Sequence, residues 1–102
     1  MKKNLTFTPE EVATSLAAVE LLLESDNASV LDMQFALNVK WNVCHSCLKK
    51  LQAYSPLTYL SKQEYTMIYY ALQYSIQVSE STGLYHEAAY TAADKALELA
   101  EP

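Results

Sequence analysis

The sequence predicts an all-α protein that folds as a single four-helix antiparallel bundle, and three observations support this class. The chain contains one glycine and three prolines, and all four lie where a predicted helix begins or ends. Apolar residues recur at helical spacing in four segments. No segment long enough to form a strand alternates apolar and polar residues with a period of two. Short connections between four helices favour antiparallel neighbours. With 102 residues the chain has the length of one domain, so residues 1–102 are predicted to form it.

The first helix is predicted over about residues 9–25. Thr8 can cap it, Pro9 suits the first helical position, and Glu11 completes a capping box. Its apolar stripe consists of Val12, Leu16, Val19 and Leu23. The polar cluster at 25–27 separates it from the next helix.

The second helix is predicted over about residues 28–53. Lys49 and Lys50 lie in its last turns, where cations suit the helix dipole, and Ser55-Pro56 ends it. Its apolar stripe consists of Val30, Leu37, Trp41, Cys44, Leu48 and Leu51.

The third and fourth helices are predicted over about residues 62–80 and 84–100. Ser61 and Glu64 form a second capping box, and Gly83 lies in the break between the two helices. The fourth helix is rich in alanine, which gives it a slim packing face. The predicted core includes Leu16, Leu23, Leu37, Trp41, Leu48, Leu72 and Leu97.

Composition and charge exclude several classes of function. The formal net charge is −5, with seven lysines and no arginine, whereas a basic footprint marks nucleic-acid binding. No apolar run approaches the roughly 20 residues that span a bilayer. No apolar stretch follows Met1-Lys2-Lys3, so we predict no signal peptide. Two cysteines without a secretion signal predict reduced thiols and a cytoplasmic location.

The segment Cys44-His45-Ser46-Cys47 is the one candidate for metal or redox chemistry. A C-x-x-C pair can bind zinc or cycle as a dithiol. Zinc requires four ligands, however, and no second pair is present; the other histidine is the distant His86. Cys44 belongs to the apolar stripe of the second helix, which predicts two buried thiols that act as small core residues. A site at Cys44, His45 and Cys47 is the alternative.

Tyrosines on the third helix predict a surface for another protein. One face of this helix, with Ile68, Leu72 and Ile76, suits the bundle core. The other face has no obvious place inside a four-helix bundle, and tyrosine and methionine are enriched at interfaces. The interface candidates are therefore Met67, Tyr70, Tyr74 and Val78. A fully enclosed helix whose tyrosine hydroxyls reach the solvent is the competing interpretation.

The fourth helix carries an acidic stripe at Glu87, Asp94, Glu98 and Glu101. A solvated face explains such a stripe, and a docking edge for a basic partner is the alternative. Neither histidine has the E-x-x-H spacing of a carboxylate metal site in a bundle. Phosphate-binding loops are rich in glycine, and the chain has a single glycine. The sequence predicts no catalytic residues and no cofactor.

Residues 83–88 and 95–99 resemble the second helix of a tetratricopeptide repeat, which would imply peptide binding. The similarity covers fewer than about twenty residues of a repeat that normally has about 34. One extra residue separates its halves, and Ile76 occupies the place of the repeat's small helix-crossing residue. Because no second copy is present and a lone repeat cannot bury its own core, we do not assign the chain to this family.

These observations predict a non-enzymatic protein–protein interaction module, such as an adaptor, an inhibitor or a regulatory subunit. Its partner is another protein or a second copy of the chain, bound through the third helix, and not a nucleic acid or a membrane. A symmetric homodimer is the commonest way to cover a self-complementary patch. A metal-binding or thiol-redox protein that uses Cys44 and Cys47 is the alternative.

Overall fold

The structure is a computed structural model, and it describes residues 6–24, 37–81 and 86–100. These residues contain four helices and no strand, which confirms the all-α class. The helices are α1 (Pro9–Glu24), α2 (Leu37–Gln52), α3 (Lys62–Ser81) and α4 (Glu87–Ala100).

The predicted helix ends agree closely with the observed ones for α1 and α3. The prediction for the second helix began at residue 28, and residues 28–36 lie outside the described part of the chain. The fourth helix was predicted from residue 84, but His86 precedes the first helical residue, and its carbonyl accepts a bond of 3.1 Å from the Ala89 N–H. Residues 84 and 85 lie outside the description.

Both predicted capping boxes are formed. The Thr8 N–H donates to the Glu11 carboxylate at 2.8 Å, and the Glu11 N–H donates to the Thr8 hydroxyl at 3.1 Å. At α3 the Ser61 N–H donates to Glu64 at 2.8 Å, and the Glu64 N–H donates to the Ser61 hydroxyl at 3.2 Å. Each box satisfies N–H groups that have no partner within the helix, which explains why α1 and α3 begin where the sequence predicts.

Contacts between helix ends show that consecutive helices run antiparallel. The last turn of α2 meets the start of α3, because Lys50 contacts Glu64. The Phe7 N–H, just before α1, donates to the hydroxyl of Tyr54, just after α2, at 3.0 Å. Lys95, late in α4, contacts Glu11 at the start of α1. One end of the bundle therefore holds the first turns of α1 and α3 and the last turns of α2 and α4.

All four helices contribute to one core. Leu72 is fully buried, as predicted, while Leu16, Leu23 and Leu48 are partly buried and pack against the core. The side chains of Leu37 and Trp41 lie outside the description. The largest fully buried side chains are Leu51, Met67, Ile68, Leu72, Val19, Cys44, Cys47 and Ser15.

Leu97 was predicted to be a core residue, and this prediction is wrong, because its side chain is 39% exposed. The face of α4 that packs inward is the alanine stripe at 88, 89, 92, 93 and 96. Beyond Ala96 this stripe continues towards Leu99 and Ala100, which are half-buried, whereas Leu97 lies about 100° around the helix from Ala96.

The buried face of α1 is rotated from the predicted stripe. Val19 is fully buried as expected, but Val12, Leu16 and Leu23 are only partly buried. The buried line instead follows Glu11, Ser15, Ala18 and Leu22, which are spaced at helical intervals. At the start of this line, Glu11 is bound by Lys95 of α4.

No helix within the three described ranges combines the length and hydropathy that crossing a bilayer requires.

Candidate protein-interaction surface

Met67 does not belong to the surface of α3, which corrects one of the four predicted interface residues. Its side chain is completely buried. Glu64 and Ala71 lie three residues before and four residues after it, on the same side of the helix. Glu64 is held by Lys50 of α2 and Ala71 is buried, so this side of α3 faces α2 and the core.

The other three predicted interface residues remain accessible. Tyr70 and Tyr74 are half-buried and pack against the edge of the core, and Val78 is 39% exposed. The spacing of four residues aligns them along α3. The Tyr69 ring meets the Tyr70 ring edge to face, with centroids 5.5 Å apart. We call Tyr70, Tyr74 and Val78 the α3 strip.

The α3 strip lies within an outward face that carries no charge. The sequence has no acidic, basic or histidine residue at positions 65–79, which is about 22 Å of helix at 1.5 Å per residue. Gln73 and Gln77, which lie beside the strip, are exposed. Over residues 65–79 the solvent side of α3 is therefore rich in tyrosine and uncharged, whereas the other helices carry exposed carboxylates or lysines.

The Cys44 and Cys47 thiols are buried core groups, as the apolar stripe predicted. Both are essentially inaccessible, and no disulfide joins them. Cys47 Sγ donates to the Glu64 backbone carbonyl at 3.5 Å. Burial raises the pKa of the Cys47 thiol well above its usual range, and the charges of Glu64 and Cys44 raise it further. These conditions disfavour the thiolate that redox chemistry and metal ligation require.

The structure does not bring Cys44, His45 and Cys47 together around a common point. The His45 side chain is exposed, while both thiols face the core. Across the described residues, no group of three or more His, Cys, Asp or Glu side chains is placed to hold a metal ion. The alternative function therefore gains no geometric support from this segment.

We predict that neither thiol reacts with a disulfide reagent in the folded protein. Adding Ellman's reagent to the native chain should release less than about a tenth of the thiol signal that the same sample gives in denaturant, because attack requires an accessible thiolate. Labelling of both cysteines in native buffer, at the rate of a small free thiol, would contradict this prediction and revive the redox alternative.

Glu64 is the centre of a polar cluster that the sequence did not reveal. Its carboxylate, with a side chain only 6% exposed, accepts from Lys50 Nζ at 2.8 Å, from the Ser46 hydroxyl and from the Ser61 N–H. Burial by itself raises the pKa of this carboxyl, but the hydrogen bonds from Lys50, Ser46 and Ser61 outweigh burial and hold the pKa below its usual value. The cluster joins α2 to the first turn of α3.

Glu11 repeats this arrangement between α1 and α4. Lys95 Nζ donates to the Glu11 carboxylate at 2.6 Å and to the Thr6 carbonyl at 3.0 Å. Burial raises the pKa of Glu11, but the bonds from Lys95, Thr8 and Thr91 lower it more, so the net shift is downward. Each capping glutamate is thus bound by a lysine from a neighbouring helix. Both clusters hold neighbouring helices together.

The connection between α2 and α3 presents two apolar side chains that sequence reasoning overlooked. Leu57 is 93% exposed and Tyr59 is 76% exposed. Beside this connection lies a cleft of about 420 Å³ at the junction of α1 and α2. The lining residues are Phe7, Pro9, Val12, Leu51, Gln52, Tyr54, Ser55 and Pro56. The sequence contained one signal of this surface. Residues 53–60, at the connection between the second and third helices, include apolar side chains and no charged residue.

The predicted acidic stripe on α4 is accessible over its described length. Glu87, Asp94 and Glu98 are exposed, and Glu101 lies outside the described residues.

Comparisons with known proteins give no family to which the chain can be assigned. No protein-family model matches the sequence, and searches of curated proteins and of solved structures give no significant match.

Proposed function

We propose that this chain is a non-enzymatic protein–protein interaction module that self-associates through α3, and that it serves a larger system as an adaptor, an inhibitor or a regulatory subunit. One observation carries the proposal: the solvent side of α3 is uncharged throughout residues 65–79 and contains the α3 strip.

The composition of this face supports an interface more than an ordinary solvated surface. The centres of protein interfaces are depleted in charged residues and enriched in tyrosine. Tyr70 and Tyr74 are held against the core by packing, so little side-chain freedom remains to be lost when a partner binds. Gln73 and Gln77 can form the hydrogen-bonded rim.

A symmetric dimer fits a single helical strip, because a two-fold axis places the same patch on both subunits. In this arrangement two α3 helices cross, and Tyr70 and Tyr74 of one copy pack against those of the other. The burial of Met67 makes the surface smaller than the sequence indicated. Since specific interfaces bury about 800 Å² per partner, a single helix face provides a modest interface, and we expect a dissociation constant in the micromolar range.

The test compares the wild type with Tyr70→Glu/Tyr74→Glu by sedimentation over a concentration series that extends well above the expected dissociation constant. At the high end of the series the wild type should run as a dimer. The variant should run as a helical monomer, because two carboxylates would be desolvated and would face their symmetry mates.

Gln73→Glu/Gln77→Glu is the matched control, since it adds the same two charges to the same helix at the same spacing. We expect this variant to remain dimeric, because rim charges contribute little. A wild type that stays monomeric would refute self-association. A Tyr70→Glu/Tyr74→Glu variant that is folded and dimeric would place the interface elsewhere.

A further inference from the structure

We propose that the α2–α3 connection and the adjoining cleft form a second docking surface, which receives an acidic segment of a partner protein that carries a bulky apolar residue. This surface consists of Leu57, Tyr59 and the cleft residues between α1 and α2, and we call it the connection surface. The proposal does not depend on self-association, because it concerns the end of the bundle rather than the face of α3.

The connection holds its apolar side chains outward by hydrogen bonds of its own. The Ser55 N–H donates to the Thr58 hydroxyl at 2.9 Å, and the Leu57 N–H donates to the Ser55 hydroxyl at 3.2 Å. The Thr58 N–H also donates to the Ser55 carbonyl at 2.9 Å. A turn closed by three such bonds presents Leu57 to the solvent in a defined position, which lowers the ordering cost of binding.

The cleft can accept an apolar side chain from a partner. Phe7 and Leu51 form its buried floor, and Tyr54 lies at its side, fixed by the hydrogen bond from the Phe7 N–H. The Phe7 and Tyr54 rings are 5.8 Å apart. Exposed apolar side chains next to a concave apolar site are the arrangement in which interface anchors are found.

Charge complementarity decides which partner chemistry fits. Between Asn42 and Ser79, the exposed residues that carry full charge at neutral pH are Lys49 and Lys62, and Lys50 is half-exposed. Lys49 lies three residues before Gln52, which lines the cleft, and Lys62 lies three residues after Tyr59. Lys50 Nζ is 5.7 Å from the centre of the Tyr59 ring, a cation–π distance. Lysines therefore adjoin the connection surface in sequence on both sides, and Lys50 contacts it at Tyr59.

The exposed carboxylates lie elsewhere. Among the side chains that the structure describes, the exposed acids all belong to α1 and α4, namely Glu10, Glu20, Glu24, Glu87, Asp94 and Glu98. Glu10 is the nearest of these in sequence to the cleft, and it lines a separate depression together with Glu11 and Glu87. In a protein with a net charge of −5, the connection surface is thus an apolar area with neighbouring lysines, and an acidic segment is the ligand that it attracts. An anionic bilayer is disfavoured, because the many carboxylates of α1 and α4 would be repelled.

The experiment selects peptides from a phage-displayed library of random linear sequences on the immobilised wild-type chain. We expect the selected peptides to be enriched in aspartate and glutamate around a bulky apolar residue. Fluorescein-labelled copies of them should bind about tenfold more weakly to Leu57→Ser/Tyr59→Ser and to Lys49→Gln/Lys62→Gln. Added salt should weaken binding to the wild type.

Gln73→Glu/Gln77→Glu again supplies the control, since it changes the net charge by the same two units as Lys49→Gln/Lys62→Gln. Its peptide affinity should equal that of the wild type. Peptides without acidic enrichment, or equal binding by all variants, would overturn the proposal.

Two further measurements test the other possible occupants of the connection surface. Binding to vesicles containing phosphatidylserine but not to pure phosphatidylcholine, lost in Leu57→Ser/Tyr59→Ser, would replace the peptide by a lipid surface and overturn the proposal. Self-association that Lys49→Gln/Lys62→Gln abolishes would assign the surface to the acidic face of a second copy, which also overturns it. The absence of both effects supports a foreign acidic segment.

Discussion

Leu72→Ala is expected to lower the free energy of unfolding by about 3 kcal/mol. Leu72 is fully buried within α3, and removal of its side chain forfeits the transfer free energy and leaves a cavity that the close-packed bundle fills only in part. Urea unfolding followed by circular dichroism measures the change.

Leu97→Ala is the matched control, because the same atoms are removed from a helix position that is 39% exposed. We expect it to cost about 1 kcal/mol, because a partly exposed side chain loses less buried apolar area and leaves no enclosed cavity. Equal losses for the two variants would mean that Leu97 is a core residue, as the sequence alone indicated.

Glu64→Ala is expected to cost about 3 kcal/mol. The substitution leaves the Lys50 ammonium without its partner at 2.8 Å and leaves the Ser46 hydroxyl and the Ser61 N–H without their acceptor. Breaking a buried pair by removing one partner typically costs about 3–5 kcal/mol, and partial exposure of Lys50 places the value at the lower end. Gln63→Ala, one position earlier and exposed, should change stability by less than about 0.5 kcal/mol.

The dependence of stability on acid pH tests the Glu64 carboxylate together with that of Glu11. The folded-state pKa of Glu64 and that of Glu11 lie below the ordinary value of 4.5, so each carboxylate stabilises the fold fully above that pH. The contribution is lost as the pH falls through the folded pKa values. Urea midpoints should therefore fall as the pH is lowered below about 4.5 in the wild type, and less steeply in Glu11→Gln/Glu64→Gln. The same slope in both proteins would show that these carboxylates do not control acid stability.

The sequence determined the local structure of the described chain. Helix starts at Pro9 and Lys62 follow from capping boxes that require only neighbouring residues. The end of α2 before Ser55-Pro56 also follows from local chemistry. The burial of Cys44 and Leu72 was predictable because helical periodicity places them on apolar stripes.

Periodicity failed where burial depends on a distant helix. It placed Leu97 in the core, although the buried line of α4 continues from Ala96 to Leu99 and Ala100 and leaves Leu97 39% exposed. It left Met67 on the surface, although Met67 lies on the side of α3 where Glu64 contacts Lys50 of α2. A repeat of apolar residues defines a stripe on one helix, but only packing fixes which edge of that stripe is covered.

The sequence by itself thus determined the helices, their caps and the tyrosine-rich stretch of α3 at residues 65–79, which contains no charged residue. Only the tertiary structure decided which lysine binds each capping glutamate and which side of α3 is covered. It also showed that Leu57 and Tyr59 stand out beside a cleft. The physical reason is that a cap joins groups three residues apart, whereas the contact of Lys95 with Glu11 joins groups 84 residues apart, and such a contact exists only once the helices have packed.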